Sequence, residues 1–148
     1  MYQSTKTYGH NLGLSIAFRQ WKADSHCRYV HGYALEIKLI FESEFLDKNG
    51  WCVDYGGLKE VKQFLTDNFD HKTLVAKDDP YLSKFEELHS LGVVDLVICP
   101  NTGCEAFAKL IYEFVESWLT SQCKFLHANL TSVEVREHGA NSSIYSKD

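Results

Sequence analysis

The chain has 148 residues, 45% of them apolar and 24% charged, with a formal charge of −5 and 14% aromatics. That length fits one domain spanning residues 1–148, and the composition excludes a disordered chain. The acidic balance and the lack of a lysine or arginine cluster argue against a nucleic-acid partner, and no apolar run approaches a membrane span or a signal-peptide core, so a cytoplasmic protein is expected.

From the N-terminus, Leu12, Leu14, Ile16 and Phe18 recur at period two and predict a strand within 11–21. Leu35, Ile37, Leu39 and Phe41 alternate with Glu36, Lys38 and Glu42 and predict a second strand over 33–42. The polar stretch 22–28 between them allows the two to pair as an antiparallel hairpin. Asp47-Lys48-Asn49-Gly50 marks a turn, after which Trp51-Cys52-Val53 is expected to restart a short strand. Asp54 stands where a helix cap would, ahead of Leu58, Val61, Phe64 and Leu65 at helical spacing, in a helix stopping near Asn68.

Asp79-Pro80 predicts a second helix start, with proline in the first helical position and an end near His89. Val93 to Cys99 is apolar and β-branched, which predicts a strand. Thr102-Gly103-Cys104-Glu105 has the form of a capping box before the apolar stripe Phe107, Leu110, Ile111, Phe114, Val115 and Trp118. Leu130 to His138 predicts a final long strand, and Ser143-Ile144-Tyr145 a closing hairpin. Neighbouring strands with helices inserted between them indicate an α+β fold with a largely antiparallel sheet. A sheet in so small a domain leaves an edge or face to be covered, so a homo-oligomer is expected.

Three places carry candidate chemistry. His26 and Cys27 precede His31-Gly32-Tyr33; a thiol among histidines is a candidate base, and the same residues also suit a loop with a buried thiol. Asp70-His71 follows a predicted helix, and a carboxylate that orients an imidazole is a common acid/base pair. Glu137 shares a strand face with Val133 and Val135, so its carboxylate points the way the apolar residues point and needs partners there. The five cysteines, Cys27, Cys52, Cys99, Cys104 and Cys123, form no C-x-x-C pair, which makes a cysteine-built zinc site improbable.

In order and spacing these segments resemble the 6-pyruvoyl/6-carboxy-tetrahydropterin synthase family. Cys27 lies four residues before His31. Gly50-Trp51-Cys52-Val53-Asp54-Tyr55-Gly56-Gly57-Leu58-Lys59 follows the family's G-W-x-x-D-x-x-x-L-K pattern, and Phe69-Asp70-His71 its L-D-H segment. Pro100-Asn101-Thr102-Gly103-Cys104-Glu105 loosely follows P-T-x-E, and Val135-Arg136-Glu137 the last strand. The resemblance covers most of 12–146 apart from an insertion over about 76–99, which its helix and strand signals predict to be folded.

It implies the tunnelling fold, an antiparallel sheet with two main helices packed on one face, and a hexamer of two trimers with sites between subunits. It also implies a pterin substrate and a lyase reaction: conversion of 7,8-dihydroneopterin triphosphate to 6-carboxy-5,6,7,8-tetrahydropterin on the queuosine route. The alternatives are a non-catalytic pterin- or purine-binding subunit and a metal-independent dihydroneopterin aldolase-like enzyme. Cys27, Asp70 and His71 would be catalytic, and Glu137, Thr102 and Glu105 would bind substrate. The family's zinc is held by three histidines, and this chain has Phe18 and Tyr33 at two of those positions. Zinc is therefore doubtful, with His31 and then His26 the candidate ligands.

Overall fold

A computed structural model describes all of residues 1–148. The chain is α+β, with eight strands and three α-helices. One sheet is antiparallel throughout, in the order β1 (Tyr2–Tyr8), β4 (Glu36–Ser43), β7 (Asn129–His138) and β8 (Asn141–Ser146). In β4 every second residue is buried, and Ile37, Leu39 and Phe41 have no exposed surface. Burying each of these side chains contributes about 1.5–3 kcal/mol, enough to fix the register, because a one-residue slip would turn all of them to solvent. A bulge in the pairing of β4 with β7 leaves Thr131 without a partner opposite, so Ser132 and Val133 are both buried.

The helices α1 (Lys59–Phe69) and α3 (Cys104–Thr120) supply the rest of the core. Val61, Leu65 and Phe69 from α1 and Phe107, Ala108, Ile111 and Val115 from α3 are all buried. Phe64 and Phe114 stack face to face at 3.8 Å where the two helices meet. The stripe expected on α3 is therefore present, shifted slightly so that Leu110 and Phe114 lie at its margin.

The second sheet runs β3 (His31–Ala34), β2 (Ser15–Phe18), β5 (Lys72–Ala76), β6 (Leu96–Cys99). The strand expected over 33–42 divides: only Tyr33 and Ala34 belong to β3, which pairs antiparallel with β2, whereas the alternating residues from Glu36 onward form β4 in the other sheet. The two predicted strands therefore do not form one hairpin; β2–β5 and β5–β6 are parallel. Gly32 is needed here, since a Cβ at that position would lie 2.3 Å from the Ile16 carbonyl oxygen. The short helix α2 (Leu82–Ser90) and β6 occupy the stretch read as an insertion. No helix is long and apolar enough to cross a membrane.

Several local expectations change. Strand β1 has no sequence signal, because Tyr8 alone among its residues is buried. Trp51-Cys52-Val53 is a loop, curled by Asp47, whose Oδ1 accepts from the Asn49 and Trp51 amides. Asp54 caps a 3-10 turn at Tyr55–Gly57, accepting from the Gly56 amide at 3.0 Å, and α1 begins only after it. Asp79 accepts from the Tyr81 amide, and α2 starts at Leu82, two residues after Pro80, with Tyr81 in the N-cap position. Thr102 does not close a capping box: its hydroxyl donates to the Arg19 carbonyl at 2.7 Å, and Gly103 (φ 111°) takes the N-cap position.

Candidate functional site

Strands β2 and β3 place Phe18 opposite His31, with Tyr33 two residues along the same face. The three rings form a cluster with centroids 4.8 Å (Phe18–His31), 5.4 Å (His31–Tyr33) and 6.1 Å (Phe18–Tyr33) apart. His31 bonds through Nδ1 to the Tyr29 carbonyl at 2.7 Å. A carbonyl only accepts, so Nδ1 carries the proton and a neutral His31 presents Nε2 as an acceptor.

The cluster forms one wall of a cleft of about 540 Å³. Cys27, half-buried in the β2–β3 loop, lies on the same cleft, with its amide donating to Ser25 Oγ. Glu137, near the end of β7, and Cys104 and Glu105, in the first turn of α3, also line it. The Glu137 side chain is 21% exposed. Its Oε1 accepts from Asn141 Nδ2 at 3.1 Å and its Oε2 from Cys104 Sγ at 3.6 Å. Glu137 lines the cleft, but it is the extra residue of a bulge between Arg136 and His138, and Arg136 lines the same cleft, so the simple alternation with Val133 and Val135 does not account for its direction.

Two groups beside Glu137, Cys104 and Tyr33, are held in their neutral forms, while Glu105 and Arg136 also line the cleft. Burial, reinforced by the Glu137 charge and hydrogen bond, pushes the Cys104 thiol up to about 12. The Tyr33 phenol is raised by burial first and then by the negative potential of Glu137, Cys27 and Cys104. Tyr33 thus stays an O–H donor at neutral pH and is a poor metal ligand.

The remaining candidates are distributed differently. His26 is exposed and does not line the cleft. Thr102 is buried, and its hydroxyl is committed to Arg19. Asp70 and His71 pair closely, Nδ1 to Oδ1 at 2.6 Å, with the His71 side chain 83% exposed. His71 adopts a left-handed backbone (φ 56°) and donates its amide to the Ser15 carbonyl, at the end of β2 remote from Phe18. Three residues of strand separate these ends by about 10 Å. Within one chain the Asp70–His71 pair and the Glu137 cleft are therefore apart.

The donor set does not fit a three-histidine zinc. One imidazole, one phenol and one phenyl occupy the expected positions, and no group of three or more His, Cys, Asp or Glu side chains converges to hold a metal.

Three contributors had not been singled out from the sequence. Cys104 sits on the cleft face of the first turn of α3, which the phase of the apolar stripe could have indicated. Asn141 lies beyond the β7–β8 turn, where no pattern marks it. Arg19, beside Phe18, forms a bidentate pair with Asp79 at 2.7 and 2.8 Å, tying the strand that carries the ring cluster to the start of the inserted segment.

The profile of the family described as 6-pyruvoyl tetrahydropterin synthase matches residues 10–148. A 6-carboxy-5,6,7,8-tetrahydropterin synthase from Rickettsia felis is 32% identical over 80 residues, covering 53% of this chain and 55% of that protein. The chain thus spans about half the length of the curated relatives it matches. An uncharacterized protein from Wolinella succinogenes superposes with a TM-score of 0.84 at 19% identity, over 99% of this chain and 98% of its own. The 6-pyruvoyl tetrahydropterin synthase of Plasmodium falciparum gives 0.65 at 13% identity, over 98% of each. At such identities the two structures show a common fold.

Proposed function

Because this chain belongs to the 6-pyruvoyl tetrahydropterin synthase family and has its tunnelling fold, we propose that the Glu137 cleft binds a pterin and that the protein is a lyase. The substrate is 7,8-dihydroneopterin triphosphate and the product 6-carboxy-5,6,7,8-tetrahydropterin. The observation that carries this reading is Glu137 itself. It is a largely buried carboxylate whose chain partners are one amide and one weak thiol donor. The amino and ring N–H groups of a pterin edge are parallel donors that a carboxylate accepts in bidentate fashion.

Cys27, which lines the same cleft as Glu137, is the base that removes a side-chain proton, and Asp70–His71 the acid that returns one. No step is assigned to zinc. Tyr33, held as a phenol, can donate to a side-chain oxygen of the substrate. Thr102 acts indirectly, by fixing the corner from which Gly103, Cys104 and Glu105 enter the cleft. The separation of His71 from Glu137 supports a homo-oligomer, a hexamer of two trimers, in which a neighbouring copy presents its Asp70–His71 pair.

Incubation of purified protein with 7,8-dihydroneopterin triphosphate, followed by chromatography, should show the carboxylated product. Mixing inactive Glu137→Gln with inactive His71→Ala, with subunit exchange, should recover part of the activity if each site draws on two copies. The altered ring cluster favours one second reading, a pterin-binding subunit without turnover. Saturable binding with no product would establish that reading instead, and glycolaldehyde released from dihydroneopterin would point to the aldolase-like reaction.

A further inference from the structure

A second cleft, of about 350 Å³, lies between the end of β1 and the start of α1 and shares no lining residue with the Glu137 cleft. Lys6, Lys59 and Lys62 all line it, and no carboxylate does. Their ammonium groups make no salt bridge within the chain, whose lysine pairs use Lys22, Lys72, Lys84, Lys109 and Lys147. In a chain of net charge −5 this is a local concentration of unneutralised positive charge.

Its placement is unfavourable for the fold alone. Lys59 and Lys62 are neighbours on one helical face, and they stand at the N-terminal end of α1, where the helix dipole already favours anions. The helix has no side-chain cap and no basic residue in its last turn; its first turn carries one acid, Glu60, which does not line the cleft, beside the cations Lys59 and Lys62.

An independent observation comes from Tyr8, which lines the same cleft. It is 5% exposed, and its hydroxyl has no hydrogen-bond partner in the chain. Lys6 Nζ lies 5.5 Å from the centroid of its ring. Burial pushes the Tyr8 phenol up to about 12, so near neutral pH, where a phosphate ester is a dianion, it keeps its proton.

We propose that this cleft binds a polyphosphate group, held by Lys6, Lys59 and Lys62 with the Tyr8 hydroxyl and the first-turn amides of α1 as donors. Three cations and a helix N-terminus match a compact ligand with at least two negative charges better than a single carboxylate. The volume is at the lower end of small-molecule sites. The group could be the triphosphate arm of a substrate bound by a neighbouring copy, or part of a separate phosphorylated molecule.

Calorimetric titration of the full chain with inorganic triphosphate tests the site without any pterin, so its outcome is separate from that of the lyase reading. Saturable binding of one triphosphate per chain is expected, weakening as salt is raised. The Lys59→Gln/Lys62→Gln double variant should lose at least about tenfold in affinity. Tyr8→Phe should also lose about tenfold, yet unfold no earlier than the natural protein, since it removes a hydroxyl that the fold leaves unpaired. No saturable binding, or unchanged affinity in a folded Lys59→Gln/Lys62→Gln protein, would overturn the proposal. Where binding is seen, saturating triphosphate should weaken dihydroneopterin triphosphate but not dihydroneopterin if the group is a substrate arm. It should weaken neither if the occupant is a separate molecule.

Discussion

The Phe18, His31 and Tyr33 cluster makes a quantitative prediction about metal binding. An imidazole nitrogen sits about 2.0–2.1 Å from zinc and its ring centroid about 1.1 Å further, so two histidines at a tetrahedral angle have centroids about 5.2 Å apart. The three rings here are 4.8, 5.4 and 6.1 Å apart. These separations bracket the spacing of a three-imidazole site, and Phe18→His with Tyr33→His should create one. Phe18 is 3% exposed and meets the edge of Phe107, so without metal the change should destabilise by roughly 2–3 kcal/mol. Zinc at a hundredfold excess over its Kd should return about 2.7 kcal/mol, a rise in Tm on the order of 5–10 °C that chelator reverses. Thermal unfolding with and without zinc, alongside elemental analysis, measures both halves. A folded double variant that neither holds zinc nor responds to it would refute the geometric reasoning. So would one zinc per chain in the natural protein that His31→Ala leaves in place.

Glu137→Gln turns one acceptor into a donor and should weaken pterin binding roughly tenfold to a hundredfold by calorimetry, from a lost charge-assisted hydrogen bond of about 1.5–3 kcal/mol; unchanged affinity would remove Glu137 from the binding role. Asp79 is buried against Arg19, which holds its carboxyl below the ordinary range. It therefore contributes stability above its unfolded pKa of about 3.9, lost as pH falls through the lower folded value, and Asp79→Asn should cost about 3–5 kcal/mol near neutrality while flattening urea stability below about pH 4. Iodoacetamide at mildly alkaline pH should label exposed Cys123 and leave Cys104, raised to about 12, unmodified until unfolding; rapid labelling of Cys104 in the folded chain would show that Glu137 and burial do not hold its proton.

The parts of the fold legible in the sequence are those where one face is dry. β4 alternates buried and partly exposed side chains along its length, and α3 buries eight residues at helical spacing, so both leave a periodic trace. β1 is an edge strand with one buried residue and leaves none. Capping motifs misled for a different reason: local pattern cannot show when a side chain has a better partner far along the chain. Thr102 finds the Arg19 carbonyl 83 residues away in place of the amide three residues on. The Arg19–Asp79 pair, 60 residues apart and joining a strand end to an inserted helix, is invisible to any local rule.

The site divides along the same line. The ring cluster could be read from the spacing around Gly32, since β2 and β3 are adjacent strands, whereas Glu137 is the extra residue of the bulge in the β7–β8 pairing, so the alternation that orders Val133 and Val135 does not by itself fix its direction. The first is a consequence of short-range register. The position of Asp70–His71 depends on β5 lying parallel to β2, so that the strand start carrying His71 meets Ser15 and not Phe18. The proposed recognition groups, with Glu137 as acceptor and Tyr33 and Cys104 as donors, therefore line one cleft of a single chain, whereas the proposed proton-transfer groups are divided between the two ends of β2. On the proposed mechanism, a substrate deprotonated by Cys27 and reprotonated by Asp70–His71 would draw these two groups from different copies of the chain.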